Sequence, residues 1–232
     1  MSWNKIYAIF YKQVKDTLKN KSVLIQFLMF PIMAIIMQNS IKMQGMPENY
    51  FVTLFASMYI AMAPITSMAA IISEEKEKNT LRMLLMSNVK PMEYLIGVGG
   101  YVCLICMMGS FVFATVGHYH GMVLLQFMGS MAVGIIISIL IGSAIGTWSK
   151  NEMMATSLTV PVMMIFSFLP MLSSFNTAIQ KVSVFAYSQQ IYSLIGEVEK
   201  LHVSTECILV VCVNFVIVLA LFLTAYRRSG LA

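Results

Sequence analysis

Charged residues are scarce in this sequence. They make up 11% of its 232 residues, while hydrophobic residues make up 59%, and soluble domains carry about 25% charged residues. A chain of this composition has too little polar surface to cover itself in water, which excludes an ordinary soluble domain. Because a helix needs about 20 apolar residues to cross a bilayer, the sequence predicts an all-α integral membrane protein.

The sequence motifs of several enzyme classes are missing. A phosphate-binding loop G-x-x-x-x-G-K-[ST] requires a glycine followed by lysine, and none of the 13 glycines is followed by one. The nucleophile elbow G-x-S-x-G and the zinc-binding helix H-E-x-x-H are also absent. We therefore predict that the chain is not an enzyme and that it binds no cofactor and no metal.

Charged residues are also missing from the interior of the apolar runs. Carriers driven by protons or sodium usually keep a carboxylate or histidine at membrane depth, because a costly charge there handles the ion. This pattern disfavours an ion-coupled carrier, although unwound helix carbonyls can bind sodium without a charge.

Six apolar runs have about the length of a membrane span, and their positions predict six transmembrane helices. The runs cover residues 22–41, 50–73, 92–117, 122–147, 154–172 and 207–226. If the N-terminus is cytoplasmic, twelve of the 15 Lys and Arg residues lie on the cytoplasmic side, as the positive-inside rule requires. We therefore expect a multi-pass protein of the cytoplasmic membrane with both termini inside.

The net charge of +5 marks this sidedness, and no nucleic-acid partner is expected because the basic residues form no single cluster.

Residues 1–21 have the pattern of an amphipathic helix lying on the membrane surface. At helical spacing, aromatic and aliphatic residues form one stripe and charged residues gather on the opposite side. The stripe contains Trp3, Ile6, Tyr7, Phe10, Val14 and Leu18, and the charged side contains Lys5, Lys12, Lys15, Asp16 and Lys19. Lysine-rich faces bind anionic headgroups, so membrane lipid is a predicted partner. A soluble amphipathic helix packed on another protein is the alternative.

Residues 173–206 form the longest segment predicted on the outer side. Its first part, 175–195, is rich in Val, Ile, Phe and Tyr, which is too apolar for a plain loop. Short re-entrant helices that dip into the outer leaflet between spans five and six account for this composition. No repeat or second domain is visible, so residues 1–232 are predicted to form one transmembrane domain.

A G-x-x-x-G pattern stands in the fourth apolar run, at Gly142 and Gly146. This spacing lets two membrane helices approach closely. We expect packing within the chain in preference to contact between two copies.

The most polar stretch of the chain is residues 74–91, between the second and third runs. Glu74, Glu75 and Glu77 alternate with Lys76 and Lys78, which predicts a charged, solvated helix end.

Apolar residues follow this charged stretch at helical spacing. Leu81, Leu84 and Leu85 are predicted to share one exposed face. An exposed apolar face of this kind requires a partner.

Two segments here resemble the permease subunits of ABC type 2 transporters. Residues 72–85 are similar to the family pattern [IV]-x-E-E-[KR]-E-x-G-T-L-x-x-L-L, and residues 87–97 to S-P-x-x-x-x-E-[YF]-[LI]-x-G-K. The resemblance implies that the glutamates end the second span on the cytoplasmic side. It also implies that Thr80 to Leu85 form a coupling helix, which docks into a separate ATP-binding cassette subunit holding ATP and magnesium, and that a second permease copy or homologue completes the transporter.

The chain departs from this pattern at three positions. Asn79 replaces the usual glycine, Asn88 the usual proline and Val98 the usual lysine. Asparagine tolerates positive φ nearly as well as glycine, so we expect the helix break at residue 79 to keep its shape. Only this departure is expected to matter physically.

Two functions fit the sequence. The first is the membrane subunit of an ATP-driven exporter that moves a lipophilic or amphipathic cargo, such as a peptide, a drug or a lipid-like molecule. The second is a non-transporting immunity or sensor component that binds a membrane-active peptide, in which the same apolar face recruits a cytoplasmic partner.

Overall fold

The computed structural model describes residues 2–19, 21–41, 47–200 and 204–228, whose regular structure is helical throughout. This part of the chain contains ten α-helices and one 3-10 turn, Val198–Lys200. The α-helices are α1 (Trp3–Lys19), α2 (Lys21–Ser40), α3 (Tyr50–Glu77), α4 (Thr80–Met86), α5 (Pro91–Val116), α6 (Gly121–Trp148), α7 (Glu152–Ser173), α8 (Thr177–Ser183), α9 (Tyr187–Gly196) and α10 (Thr205–Arg228).

Five of the described helices, α3, α5, α6, α7 and α10, are long and apolar enough to cross a membrane. The chain is therefore a multi-pass membrane protein, and five of the six predicted spans are confirmed by length and composition. The remaining predicted span corresponds to α2, whose described apolar stretch, Phe27–Ser40, is shorter.

Helix α3 lies at the centre of the fold. It packs against α2, α5, α6, α7 and α9, and 72% of its apolar stretch is buried, compared with 22% for α7 and 17% for α10. The outer faces of α7 and α10 are therefore largely open in the single chain.

The G-x-x-x-G pattern lies at a close approach between α6 and α3. A Cβ atom at Gly142 would lie 2.6 Å from the carbonyl oxygen of Ile65, and one at Gly146 would lie 2.8 Å from Ile72 Cβ. Real Cβ atoms do not approach other atoms so closely, so only glycine fits the observed spacing. The expected packing within the chain is confirmed.

Residues 173–206, which were predicted to contain short helices, include α8 and α9. Helix α9 packs against α3, α6, α7 and α10, and its first residue, Tyr187, is completely buried. The Tyr187 hydroxyl and Ser138 Oγ on α6 are hydrogen-bonded at 2.7 Å. This bond satisfies a polar group that burial would otherwise penalise.

Helix α1 packs along α5, with a second contact to α2. Its buried face contains Ile6, Ile9, Gln13 and Thr17, and Gly97 of α5 makes room for Ile9, since a Cβ there would lie 2.9 Å from Ile9 Cβ. The predicted apolar stripe is therefore divided between two environments. Ile6, Phe10 and Val14 contact protein, while Trp3, Tyr7 and Leu18 remain exposed.

Candidate functional site

The candidate site is built around the α3 end, which is defined as residues 74–78. Helix α3 stops here because Asn79 adopts a left-handed conformation with φ of 57°, and its N–H donates to the Lys76 carbonyl at 3.1 Å. The Thr80 hydroxyl donates back to the Glu75 carbonyl at 3.1 Å. The prediction that asparagine preserves the positive-φ helix break at residue 79 is confirmed.

Glu75 connects the α3 end to α1. It is only 6% exposed, and its Oε1 accepts hydrogen bonds from Gln13 Nε2 at 2.8 Å and from Lys12 Nζ. The hydroxyl of Tyr94 on α5 lies next to the same carboxylate. The prediction of a solvated helix end is therefore wrong for Glu75, because α1 covers it and supplies polar partners that lie far away in the sequence.

Lys76 connects the α3 end to the end of α6. Its Nζ donates to the carbonyl oxygens of Thr147 at 2.7 Å and Ser149 at 2.5 Å. The last carbonyls of a helix have no partner within the helix and carry partial negative charge. A lysine ammonium is therefore a favourable cap at this position.

Glu77 connects the α3 end to the start of α7. Its Oε2 accepts the backbone N–H of Glu152 at 2.8 Å, which is one of the N–H groups that the first turn of a helix leaves without an internal acceptor. Asn151 caps the same turn, since its Oδ1 accepts the N–H of Met154 at 2.9 Å.

Glu74 and Lys78 form an ion pair on the surface of the α3 end. The hydrogen bond from Lys78 to Glu74 raises the pKa of the lysine. Both side chains are exposed to solvent, so this pair matches the predicted solvated helix end.

Helix α4 presents methionines to solvent, and the predicted leucine face points inward. Leu81 is only 3% exposed and Leu84 packs against the core, whereas Met83 is 67% and Met86 81% exposed. The side chain of Leu85 lies outside the described residues. The prediction of an exposed leucine face is wrong because the turn at residue 79 folds α4 back onto α3, which covers that side.

The exposed methionines were missed by the sequence prediction, although their spacing was visible. Met83 and Met86 are three residues apart and therefore share a helix face, which also carries the exposed Arg82. The sequence contained two apolar faces on this helix, and only the fold shows which one is free.

The turn between α4 and α5 corrects a second prediction. Asn88 adopts φ of 64°, whereas the ring of proline fixes φ near −65°. The departure from the family pattern at this position therefore has a physical consequence, contrary to expectation. Lys5 Nζ of α1 donates to the Asn88 carbonyl.

Glu93 is a buried carboxylate that ties this turn to the beginning of α1. Its Oε2 accepts the N–H of Lys90 at 3.1 Å, and its Oε1 accepts the N–H of Ser2 at 2.6 Å. No side-chain pattern signals the second bond, because its donor is a backbone group distant in the chain.

The residues predicted to hold α1 on the membrane surface have separate roles. Lys5 and Lys12 bind within the protein, and Phe10 packs edge-on against Tyr101 with ring centroids 6.1 Å apart. Lys15 Nζ lies 4.9 Å from the centroid of the Tyr11 ring. Trp3 and Lys15 are exposed, and the side chain of Lys19 lies outside the described residues.

A groove of about 660 Å³ adjoins the α3 end. Its lining comprises Glu77, Glu152, Met153, Thr156, Ser157, Val160 and Pro161. In the described part of the chain, no three His, Cys, Asp or Glu side chains cluster as metal ligands would.

Comparison with known proteins agrees with this architecture. A model of the family described as ABC-2 family transporter protein matches residues 3–226, which is nearly the whole chain. A comparison with curated proteins found no match. The match covers the apolar helices and the α3 end together, and the chain therefore belongs to the ABC-2 transporter family as a membrane-spanning permease domain.

Proposed function

We propose that this permease domain, residues 1–232, is the membrane subunit of an ATP-driven exporter and that α4 docks a separate ATPase subunit. The observation that carries the proposal is the two-sided character of α4. One side presents Met83, Met86 and Arg82 to solvent. The other side carries Leu81, which is buried in the core, and α4 as a whole contacts α3. A partner that moves α4 therefore also moves the α3 end.

The topology that this function requires has six spans, with α2 as the first. The α3 end, α4 and both termini then lie in the cytoplasm. Most of the basic residues lie on that side, so this topology satisfies the positive-inside rule. In this orientation α8 and α9 form a re-entrant segment on the outer side, and α9 finds its partners on the surrounding spans.

A second permease copy or homologue completes the pathway. The open faces of α7 and α10 are the surfaces on which another membrane subunit can pack.

The groove beside the α3 end favours an amphipathic cargo. It combines the carboxylates of Glu77 and Glu152 with the apolar side chains of Met153, Val160 and Pro161. A peptide, drug or lipid-like molecule with a polar and an apolar part matches both surfaces. ATP and magnesium belong to the partner ATPase, and this chain contributes no catalytic group.

The test is co-purification and ATP hydrolysis with a candidate P-loop ATPase. The variant Met83→Glu/Met86→Glu places two charges on the exposed face of α4 and is expected to abolish ATPase association while leaving membrane insertion intact. Met92→Glu is the matched control, because Met92 is an exposed methionine outside α4.

The outcomes separate transport from sensing. Loss of ATPase binding in the α4 variant but not in Met92→Glu supports the exporter. Binding of a membrane-active peptide by a chain that associates with no ATPase would favour an immunity or sensor component. Normal ATPase association and turnover in the α4 variant would contradict the docking assignment.

A further inference from the structure

Two neighbouring side chains of the α3 end hold both sides of the α6–α7 turn, which is defined as residues 149–151. Lys76 binds the carbonyl of Ser149, where α6 ends, and Glu77 binds the N–H of Glu152, where α7 begins. These residues are adjacent in sequence, yet they satisfy backbone groups of opposite polarity on two different helices.

The signs of the two charges match the helix ends that they contact. The C-terminal end of α6 carries partial negative charge and the N-terminal end of α7 partial positive charge. Lys76 and Glu77 cannot be exchanged without placing each charge against a helix end of the same sign. Hydrogen bonds that involve an ionised partner are also shorter and stronger than neutral ones.

We infer that Lys76 and Glu77 are positioning residues that fasten the α6–α7 turn to the α3 end, so that a displacement of α4 is passed on to α7. The link is short, since only Lys78 and Asn79 separate Glu77 from Thr80 at the start of α4. Transmission from the ATPase rests on the proposed function, whereas the fastening itself does not.

Helix α7 is built to respond to such a displacement. Pro161 has no N–H, so the helical hydrogen bond that would reach the Ser157 carbonyl is missing. Residues 152–160 therefore form a segment that can tilt relative to the remainder of α7. At the start of α7 the bond from Glu77 acts together with the Asn151 cap and with the packing of the buried Ala155 and Thr159.

The groove makes this movement relevant to cargo. Glu77 lines it together with six residues from the first three turns of α7. A displacement of the α3 end that reaches residues 152–160 therefore moves the wall of the groove that Glu77 and the start of α7 form together.

The fastening is tested on the full chain in detergent, without any partner, by hydrogen exchange of residues 147–156. Lys76→Met and Glu77→Ala are expected to raise the exchange rate of the Glu152 N–H and its neighbours about tenfold, because each variant removes a charge-assisted hydrogen bond. Lys150→Met is the matched control, since Lys150 lies exposed in the turn itself, and its exchange should equal that of wild type.

Glu77→Gln keeps an acceptor oxygen and is expected to restore most of the protection. Exchange in α1 reports whether the variants remain folded, because α1 is held by Glu75 and Glu93. Unchanged protection of residues 147–156 in both Lys76→Met and Glu77→Ala would overturn the assignment.

Transmission is tested with the ATPase bound, by spin labels at Ser87→Cys and Met153→Cys in a background without the native cysteines. Ser87 is exposed and directly follows α4, outside the proposed docking face. ATP is expected to shift both labels in the otherwise native chain, and Lys76→Met/Glu77→Ala should abolish the shift at residue 153 alone. A shift at residue 153 that survives in this variant overturns the transmission. If ATP shifts neither label in the native chain, the proposed ATPase coupling fails, and the exchange result alone decides the fastening.

Discussion

Replacing Gly142 with alanine tests the close approach of α6 to α3. A Cβ at this position would lie 2.6 Å from the Ile65 carbonyl oxygen and 2.9 Å from Met68 Cβ. The first of these atoms belongs to the backbone, so α6 must move away from α3 to accept the methyl group. Overpacking of this kind costs about 1–3 kcal/mol in the free energy of unfolding.

The expected result for Gly142→Ala is a lower midpoint of thermal unfolding in detergent. A change of about 1 kcal/mol shifts the midpoint by about 2–4 °C in a soluble protein of this size, so a decrease of several degrees is expected. Gly129→Ala on the same helix is the control, because a Cβ there would have no neighbour within 4 Å. Alanine in an open helical position is neutral or stabilising by about 0.5–1 kcal/mol. Equal midpoints for the two variants would refute the argument from close packing.

Substitutions at two further positions test local geometry. Asn79→Gly is expected to keep full function. Asn79→Val should destabilise the turn before α4 by about 1–2 kcal/mol, because a left-handed conformation is strained for a β-branched residue. Thermal midpoints and ATPase association are measured for both variants, and equal values would contradict this prediction. Tyr187→Phe removes the bond to Ser138 but keeps the ring contact with Phe166, so it should cost about 1 kcal/mol. The same loss should appear in Tyr187→Phe/Ser138→Ala, and strictly additive costs of the two changes in a double-mutant cycle would argue against a shared bond.

The positions of the spans could be predicted from the sequence because hydropathy depends on local composition. Each of the runs in 50–73, 92–117, 122–147, 154–172 and 207–226 lies within or nearly within one observed helix. The helix break at Asn79 was also predictable, since few residue types tolerate its conformation.

The neighbours of each helix face could not be predicted in the same way. Lipid and protein interior are both apolar, so an apolar stripe does not indicate which of the two it faces. This explains why the stripe of α1 is divided between α5 and the exterior. Leu81 was expected at the surface for another reason: α4 has two apolar faces, and its sequence does not show that the one with Met83 and Met86 is the exposed one.

The connections of the α3 end were hidden for a different reason. The charged stretch was visible, but Lys76 and Glu77 bind backbone carbonyl and N–H groups, which every residue possesses. Such partners leave no signature in the side-chain sequence. Only the arrangement of α6 and α7 around α3 shows why these two charges stand in this order.

The glycine contacts between α3 and α6 have a consequence for measuring motion in this protein. Two helices that approach as closely as α3 and α6 do at Gly142 and Gly146 leave little room there for side chains to rearrange, so we expect them to keep a constant separation through a transport cycle. A pair of probes, one on each of these helices, then supplies a fixed internal length standard. Displacements of α7 and α10 can be referred to that standard within the same molecule, which removes the need to align separate conformational states.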